Sequence, residues 1–169
     1  MTLAMPAAPG GDPRAFRPIA DLFAKHGCTE VDAGNFDAFT RRAGHTLLLF
    51  AEDPVRYRET LDLAVIVPEI ARAFPERFAV GVLLPEAARA FHARYAFRRW
   101  PAFVVLRDGA YVGAVDGLRT WDEYLAETAR LLEAPAARPP GIGIPVHGAG
   151  AADGAPEAKG ALNPEGGSA

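Results

Sequence analysis

The chain has 169 residues, half of them hydrophobic, and a formal net charge of −3. This length and composition predict one domain with a real core, while the charge argues against nucleic-acid binding, which usually needs a basic face. The single cysteine, Cys28, excludes an intramolecular disulfide and a C-x-x-C redox pair.

The N-terminal sequence does not predict export. The first residues, MTLAMPAAPGGDPRAF, lack the charged start and the long apolar run of a secretory signal. No stretch approaches the roughly 20 apolar residues that span a bilayer. We therefore expect a cytoplasmic protein that does not span the membrane. Residues 1–13 are rich in Pro, Gly and Ala, and this composition predicts a flexible N-terminus.

Hydrophobic periodicity predicts one domain over residues 14–133, in which helices alternate with strands. Continuous apolar runs of strand length suit strands that are buried on both faces. The predicted elements in chain order are helix 16–26, strand 28–31, helix 35–43, strand 45–51, helix 61–74, strand 78–84, a helix from residue 85, strands 102–106 and 111–115, and a helix from residue 121 to near residue 135. Central strands joined by helices imply parallel pairing with helices on both faces, and the last two strands make the sheet mixed.

Local signals define the ends of the last elements. The Asp-Gly pair at Asp108 predicts a tight antiparallel hairpin between the last two strands. Thr120 and Glu123 have the spacing of a capping box, in which the hydroxyl and the carboxylate satisfy free amides reciprocally. The helix that they begin is predicted to direct Trp121, Tyr124 and its leucines inward.

Residues 134–169 differ in composition from the rest of the chain. Ala, Gly and Pro dominate and no aromatic residue is present, so this segment cannot bury enough apolar area to offset the entropy of ordering. We predict a disordered tail, in which the run GIGIPV at 141–146 could dock on the domain or on a partner. Its glycines do not make a dinucleotide fingerprint, because no strand precedes them.

Residues 93–132, ARYAFRRWPAFVVLRDGAYVGAVDGLRTWDEYLAETARLL, resemble the thioredoxin fold. The shared series is a tyrosine-bearing helix end, an X-Pro step, an apolar strand, a charged-Gly turn, a second strand and a capped terminal helix. The resemblance implies an α/β fold with a mixed central sheet, helices on both faces, and a C-terminal antiparallel hairpin and helix. It also implies that Pro101 is cis at the mouth of a groove that Trp100 lines.

Thioredoxins carry W-C-G-P-C after the first long strand, where this chain reads FAEDPVRYRETLDLAVIVPEIARAF at 50–74, without a cysteine. The redox function of the fold is therefore not expected. The AEDP after the apolar strand, the VIVPEIARAFPERF run, the block RRWPAFVVLRDGAYVGAVDGLRTW and a helix ending LLE are similar to the HyaE/HupG family, accessory proteins of NiFe hydrogenase maturation. This narrower resemblance covers roughly residues 17–133.

Membership of this family would imply a non-enzymatic chaperone without a cofactor or metal. It would bind the hydrogenase small-subunit precursor and its twin-arginine signal peptide before export, and other hydrogenase maturation proteins are further candidate partners. Two alternatives stay open: a structural or assembly subunit of a hydrogenase complex, and a generic thioredoxin-like peptide-binding module.

The candidate peptide-binding residues come from the groove and from the loop that replaces the cysteine motif. They are Trp100, Pro101, Glu52, Asp53, Glu59 and Asp62. Trp100 could anchor the apolar part of a signal peptide, and the carboxylates could meet its paired arginines. The alternatives are a core tryptophan and an ordinary solvated loop that Arg56 and Arg58 neutralise.

Three other features have simpler interpretations. Arg98 and Arg99 would repel a twin-arginine motif, so we interpret them as solvated strand-edge charges or as contacts for acidic residues elsewhere on the precursor. Cys28 is interpreted as a small core residue, although a redox role with an external thiol is the rival. The histidines show no ligand spacing, and the only serine, Ser168, does not suggest a catalytic set.

Overall fold

The computed structural model describes residues 11–140, in which every predicted helix and strand is present. After a 3-10 turn at Pro13–Ala15, the elements are α1 (Arg17–Ala24), β1 (Thr29–Glu30), α2 (Phe36–Thr40), β2 (His45–Phe50), α3 (Glu59–Ala73), β3 (Phe78–Leu83), α4 (Pro85–Tyr95), β4 (Ala102–Arg107), β5 (Ala110–Asp116) and α5 (Trp121–Glu133). The predicted boundaries differ from these by a few residues at most, which is usual where helix ends fray.

The five strands form one mixed sheet in the order β1-β3-β2-β4-β5. β1, β3 and β2 are parallel, whereas β4 runs antiparallel to β2 and β5 antiparallel to β4. Phe50 pairs with Leu83 and Ala102, and Ala102 pairs with Asp116. The carboxyl ends of β2, β3 and β5 and the amino end of β4 therefore lie side by side at one end of the sheet, and the loops that follow or precede them share that end.

Alternate side chains of the sheet belong to two cores on its opposite faces. Leu47 and Leu49 of β2 pack in one core, and Leu48 and Phe50 pack in the other, as the alternation of a strand dictates. The first core is covered by α1, α3 and α5, and the second by α2 and α4. All four side chains are fully buried, and burying each one contributes about 1.5–3 kcal/mol.

The capping box of α5 is confirmed, but the predicted burial of Trp121 is wrong. Thr120 Oγ1 accepts a hydrogen bond from the Glu123 amide at 3.3 Å, and the Glu123 carboxylate accepts one from the Thr120 amide at 2.8 Å. Trp121 is 44% exposed because it is the first residue of the helix, ahead of the buried face. That face begins at Tyr124, whose hydroxyl donates to the Gly117 carbonyl at 3.3 Å.

The predicted flexible N-terminus and disordered tail lie mostly outside the described residues, so the division at residues 13 and 134 stays a prediction. Within the described part, residues 134–140 follow α5 without regular secondary structure. The amide of Ala137 donates a hydrogen bond to the carbonyl of Tyr111 at 2.7 Å. This contact places the segment after α5 beside the outer edge of β5.

Candidate functional site

Three loops meet at the end of the sheet that the strand register defines. They are residues 51–58 after β2, residues 96–101 before β4, and residues 117–120 after β5, and we call them the loop cluster. The amide of Gly117 donates to the carbonyl of Pro101 at 3.1 Å, which joins the second loop to the third. By the resemblance to thioredoxins, the first loop takes the place of their cysteine motif.

Asp116 fixes the backbone of the second loop from the end of β5. Its Oδ2 accepts hydrogen bonds from the amides of Arg98 and Arg99, at 2.8 and 3.2 Å. The Arg99 side chain lies across Gly117, where an added Cβ would come within 3.2 Å of Arg99 Cδ. The position of Gly117 therefore leaves room for that side chain to cross from one loop to the other.

Trp100 and Pro101 occupy the centre of the loop cluster, and the peptide bond between them is cis. Pro101 is buried, whereas Trp100 is half-buried. The Trp100 ring meets Phe97 edge-on at a centroid distance of 4.8 Å and lies 5.1 Å from the ring of His92. The indole thus packs against these two rings and stays partly exposed.

Glu52 points into the protein, where it pairs with an arginine of α4. It is 5% exposed, and its carboxylate accepts hydrogen bonds from Arg89 Nε at 2.9 Å, from Arg89 Nη2 and from the Asp53 amide at 2.7 Å. The hydrogen bond with Glu52 raises the pKa of Arg89. Arg89, rather than Arg56 or Arg58, therefore neutralises Glu52, since a buried carboxylate needs a paired and hydrogen-bonded charge.

Asp53 shapes the first loop, whereas Glu59 and Asp62 face solvent. Asp53 is 6% exposed, and its Oδ1 accepts from the Val55 amide at 2.9 Å, while its carbonyl accepts from the Tyr57 amide at 2.8 Å. Glu59 and Asp62 are exposed in the first turn of α3, where negative charge is favoured by the helix dipole. The four predicted carboxylates thus divide into two that hold the loop and two that are exposed to solvent.

Exposed apolar side chains in the loop cluster and at the start of α5 were missed by sequence reasoning. Val55 is 60% exposed, Tyr57 37%, Leu118 46% and Trp121 44%. Exposed apolar residues are ordinary when they are scattered singly, whereas these four share one end of the sheet. For Tyr57 and Leu118 the available signal was their position in loops, outside any helical or strand period that would bury them.

A cleft of about 920 Å³ lies on the other side of the first loop. Its walls include Arg14, Glu30, Asp53, Leu84 and Phe91. Arg14 is ion-paired with Glu30 across the cleft wall. Because Asp53 belongs both to this wall and to the first loop, the cleft adjoins one loop of the loop cluster.

Residues 11–140 lack two features that would indicate other kinds of site. No helix there is long and apolar enough to cross a membrane. The same residues contain no group of three or more His, Cys, Asp or Glu side chains placed to hold a metal ion.

Cys28 is half-buried, and its burial raises the pKa of the thiol to about 11. At pH 8 about 0.1% of the thiol is then ionised, against roughly a quarter for an unperturbed cysteine. We expect iodoacetamide to alkylate Cys28 at pH 8 at least about tenfold more slowly than free cysteine, because the lower ionised fraction outweighs the higher nucleophilicity of a thiolate of raised pKa, and the rate should rise up to about pH 11. Mass spectrometry of timed samples measures this rate, and alkylation as fast as that of free cysteine would contradict the burial argument.

The chain is similar to hydrogenase expression proteins over most of its described length. The family profile described as "Hydrogenase-1 expression protein HyaE" matches residues 19–124, which include all three loops. "Hydrogenase expression/formation protein HoxO" of Cupriavidus necator is 40% identical over 135 residues, covering 79% of this chain and 84% of that protein. HupG of Rhodobacter capsulatus, which carries the same description, is 31% identical over 117 residues, covering 69% and 85%.

Two solved structures are similar to this chain. A hydrogenase expression/formation protein HupG from Rhodopseudomonas palustris is 32% identical, with a TM-score of 0.44 over 62% of this chain and 94% of that one. A mutant thioredoxin from Halobacterium salinarum is 22% identical, with a TM-score of 0.52 over 63% of this chain and 92% of its own. The likeness to thioredoxin shows that the fold is thioredoxin-like.

Proposed function

Because the chain belongs to the HyaE family of hydrogenase expression proteins, we propose that it is a non-enzymatic chaperone that binds a hydrogenase small-subunit precursor and its twin-arginine signal peptide. Binding in the cytoplasm would mask the signal peptide. Export would then wait until the metal clusters and the large subunit are in place. The bound segment would occupy the loop cluster, at the position where thioredoxins carry their cysteines.

The observation that carries this proposal is the apolar surface of the loop cluster. The Trp100 ring packs against the rings of Phe97 and His92. It lies at the same end of the sheet as the exposed side chains of Tyr57 and Leu118. A partly buried aromatic ring surrounded by apolar neighbours is typical of a binding anchor. The apolar region of a signal peptide has the matching chemistry.

The exposed carboxylates supply the charge that the paired arginines of the signal peptide require. Glu59 and Asp62 lie one turn apart at the start of α3, and no cation lies within 4 Å of either carboxylate in the described part of the chain. Carboxylates bind guanidinium groups through directional, often bidentate, hydrogen bonds. Glu52 and Asp53 serve this site by holding the loop that leads into α3.

Calorimetric binding of the small-subunit precursor, with and without its signal peptide, at two salt concentrations, tests the proposal. We expect binding that needs the signal peptide and weakens at the higher salt, since exposed charge contacts are screened. Binding that survives deletion of the signal peptide unchanged would indicate an assembly factor for the folded subunit. No binding to either form would refute the chaperone role for this partner.

Two double variants, each of which removes two negative charges, locate the contact. The double substitution Glu59→Gln/Asp62→Asn should reduce the affinity for the precursor and its salt dependence. The matched control, Glu76→Gln/Glu133→Gln, removes two exposed carboxylates, one in the loop between α3 and β3 and one at the last residue of α5. Equal effects of the two double variants would place the arginine contact elsewhere on the surface.

A further inference from the structure

Arg98 and Arg99 form an exposed basic pair at the edge of the loop cluster, directly before Trp100. Neither guanidinium has a carboxylate within 4 Å among the described residues. Asp116, the carboxylate that contacts this loop, accepts hydrogen bonds at Oδ2 from their backbone amides instead. The other oxygen of Asp116 faces Arg119 at 3.9 Å. The structure thus uses the local carboxylate to fix the backbone and leaves both side-chain charges uncompensated.

The acidic residues at the start of α5 do not neutralise this pair. The carboxylate of Glu123 is occupied by the amide and hydroxyl of Thr120 in the capping box, at 2.8 and 3.1 Å. Asp122 is exposed in the first turn of α5 and has no ion-pair partner within 4 Å among residues 11–140. Arg98 and Arg99 consequently present two positive charges beside the apolar surface of Trp100 and Leu118.

Given the proposed function, on which this inference rests, we propose that Arg98 and Arg99 bind an acidic segment of the precursor outside its signal peptide. A twin-arginine motif would be repelled by this pair, whereas carboxylates suit the planar guanidinium fork. The Arg99 stem is held across Gly117, so its charged end is placed with less loss of freedom than that of a free surface arginine.

Two contacts of opposite sign would orient the precursor on the loop cluster. Its basic signal peptide lies toward Glu59 and Asp62 of α3, and its acidic segment lies toward Arg98 and Arg99. Charge complementarity of this kind contributes more to specificity and to the rate of association than to affinity. A precursor with a similar signal peptide but without the acidic segment would therefore be discriminated against.

The test compares two double variants, in each of which a pair of arginines is replaced by glutamates, so that both change the net charge equally. Arg98→Glu/Arg99→Glu reverses the proposed contact, and Arg41→Glu/Arg42→Glu reverses an exposed pair before β2, at the other end of the sheet. Three probes are titrated into each variant by calorimetry: the whole precursor, the precursor without its signal peptide, and the isolated signal peptide. Circular dichroism confirms that both variants are folded.

We expect the first variant to bind the whole precursor about tenfold more weakly than the control variant does, as two reversed rim charges suggest. Its affinity for the isolated signal peptide should be unchanged or higher. Equal losses in both variants, or a loss for the isolated signal peptide as well, would overturn the inference. If the unsubstituted protein binds none of the three probes, the proposed function itself fails, and this outcome is recognised before any variant is compared.

Discussion

Replacing Phe97 with alanine is expected to lower the free energy of unfolding by about 3–5 kcal/mol, the usual cost of removing a buried aromatic ring. Phe97 is 5% exposed, and its ring lies 5.1 Å from that of Phe50 in the core and 4.8 Å from that of Trp100 in the loop cluster. The substitution would leave a cavity between the sheet and the site. Urea denaturation followed by far-ultraviolet circular dichroism measures the loss.

Two variants calibrate this expectation. Phe97→Leu retains most of the apolar volume and should cost less than the alanine variant. Val65→Ala removes an exposed apolar side chain from α3 and should change stability by no more than about 0.5 kcal/mol. A loss below about 1 kcal/mol for Phe97→Ala would mean that the packing of Phe97 between Phe50 and Trp100 contributes little to stability, and that Trp100 does not depend on it.

Trp100→Ala should weaken binding of the small-subunit precursor by about 30-fold or more. A central aromatic anchor typically contributes at least about 2 kcal/mol to an interface, which corresponds to that factor. Calorimetry at a temperature where the variant is fully folded measures the change. Trp100→Phe keeps an aromatic ring on His92 and should retain part of the affinity, so the pair of variants separates the apolar contact from general loosening of the loop.

Two results would contradict this role of Trp100. Unchanged affinity in a folded Trp100→Ala protein would mean that the indole only fills space beside Phe97. A similar loss in Trp121→Ala would move the anchor toward α5, since Trp121 is exposed and outside both cores.

The fold could be predicted from the sequence because its signals are local. The run HTLLLFA contains a strand that is buried on both faces, and the Thr120–Glu123 spacing produced the capping box. The Asp-Gly pair at Asp108 produced the turn between β4 and β5. Each of these signals is read within a few residues, so no knowledge of distant contacts was needed.

The site was harder to predict because its properties depend on contacts between distant residues. From the sequence, Glu52 is expected to be an exposed carboxylate of a loop. It is buried instead, because it pairs with Arg89, which is 37 residues further along the chain. Periodicity assigned Trp121 to the buried face, although the first residue of a helix precedes that face. The exposure of Val55 follows from how the loop folds around Asp53, which no local pattern encodes.

The hydrogen bond between Ala137 and Tyr111 has a consequence for the behaviour of the protein at high concentration. Of the two edge strands, β1 has only two residues, whereas β5 has seven and offers its outer backbone to any other chain. Such an edge is a template for intermolecular pairing and aggregation. The amide of Ala137, a residue that belongs to neither core, already occupies the Tyr111 carbonyl, so the segment after α5 reduces the backbone that β5 offers to another molecule.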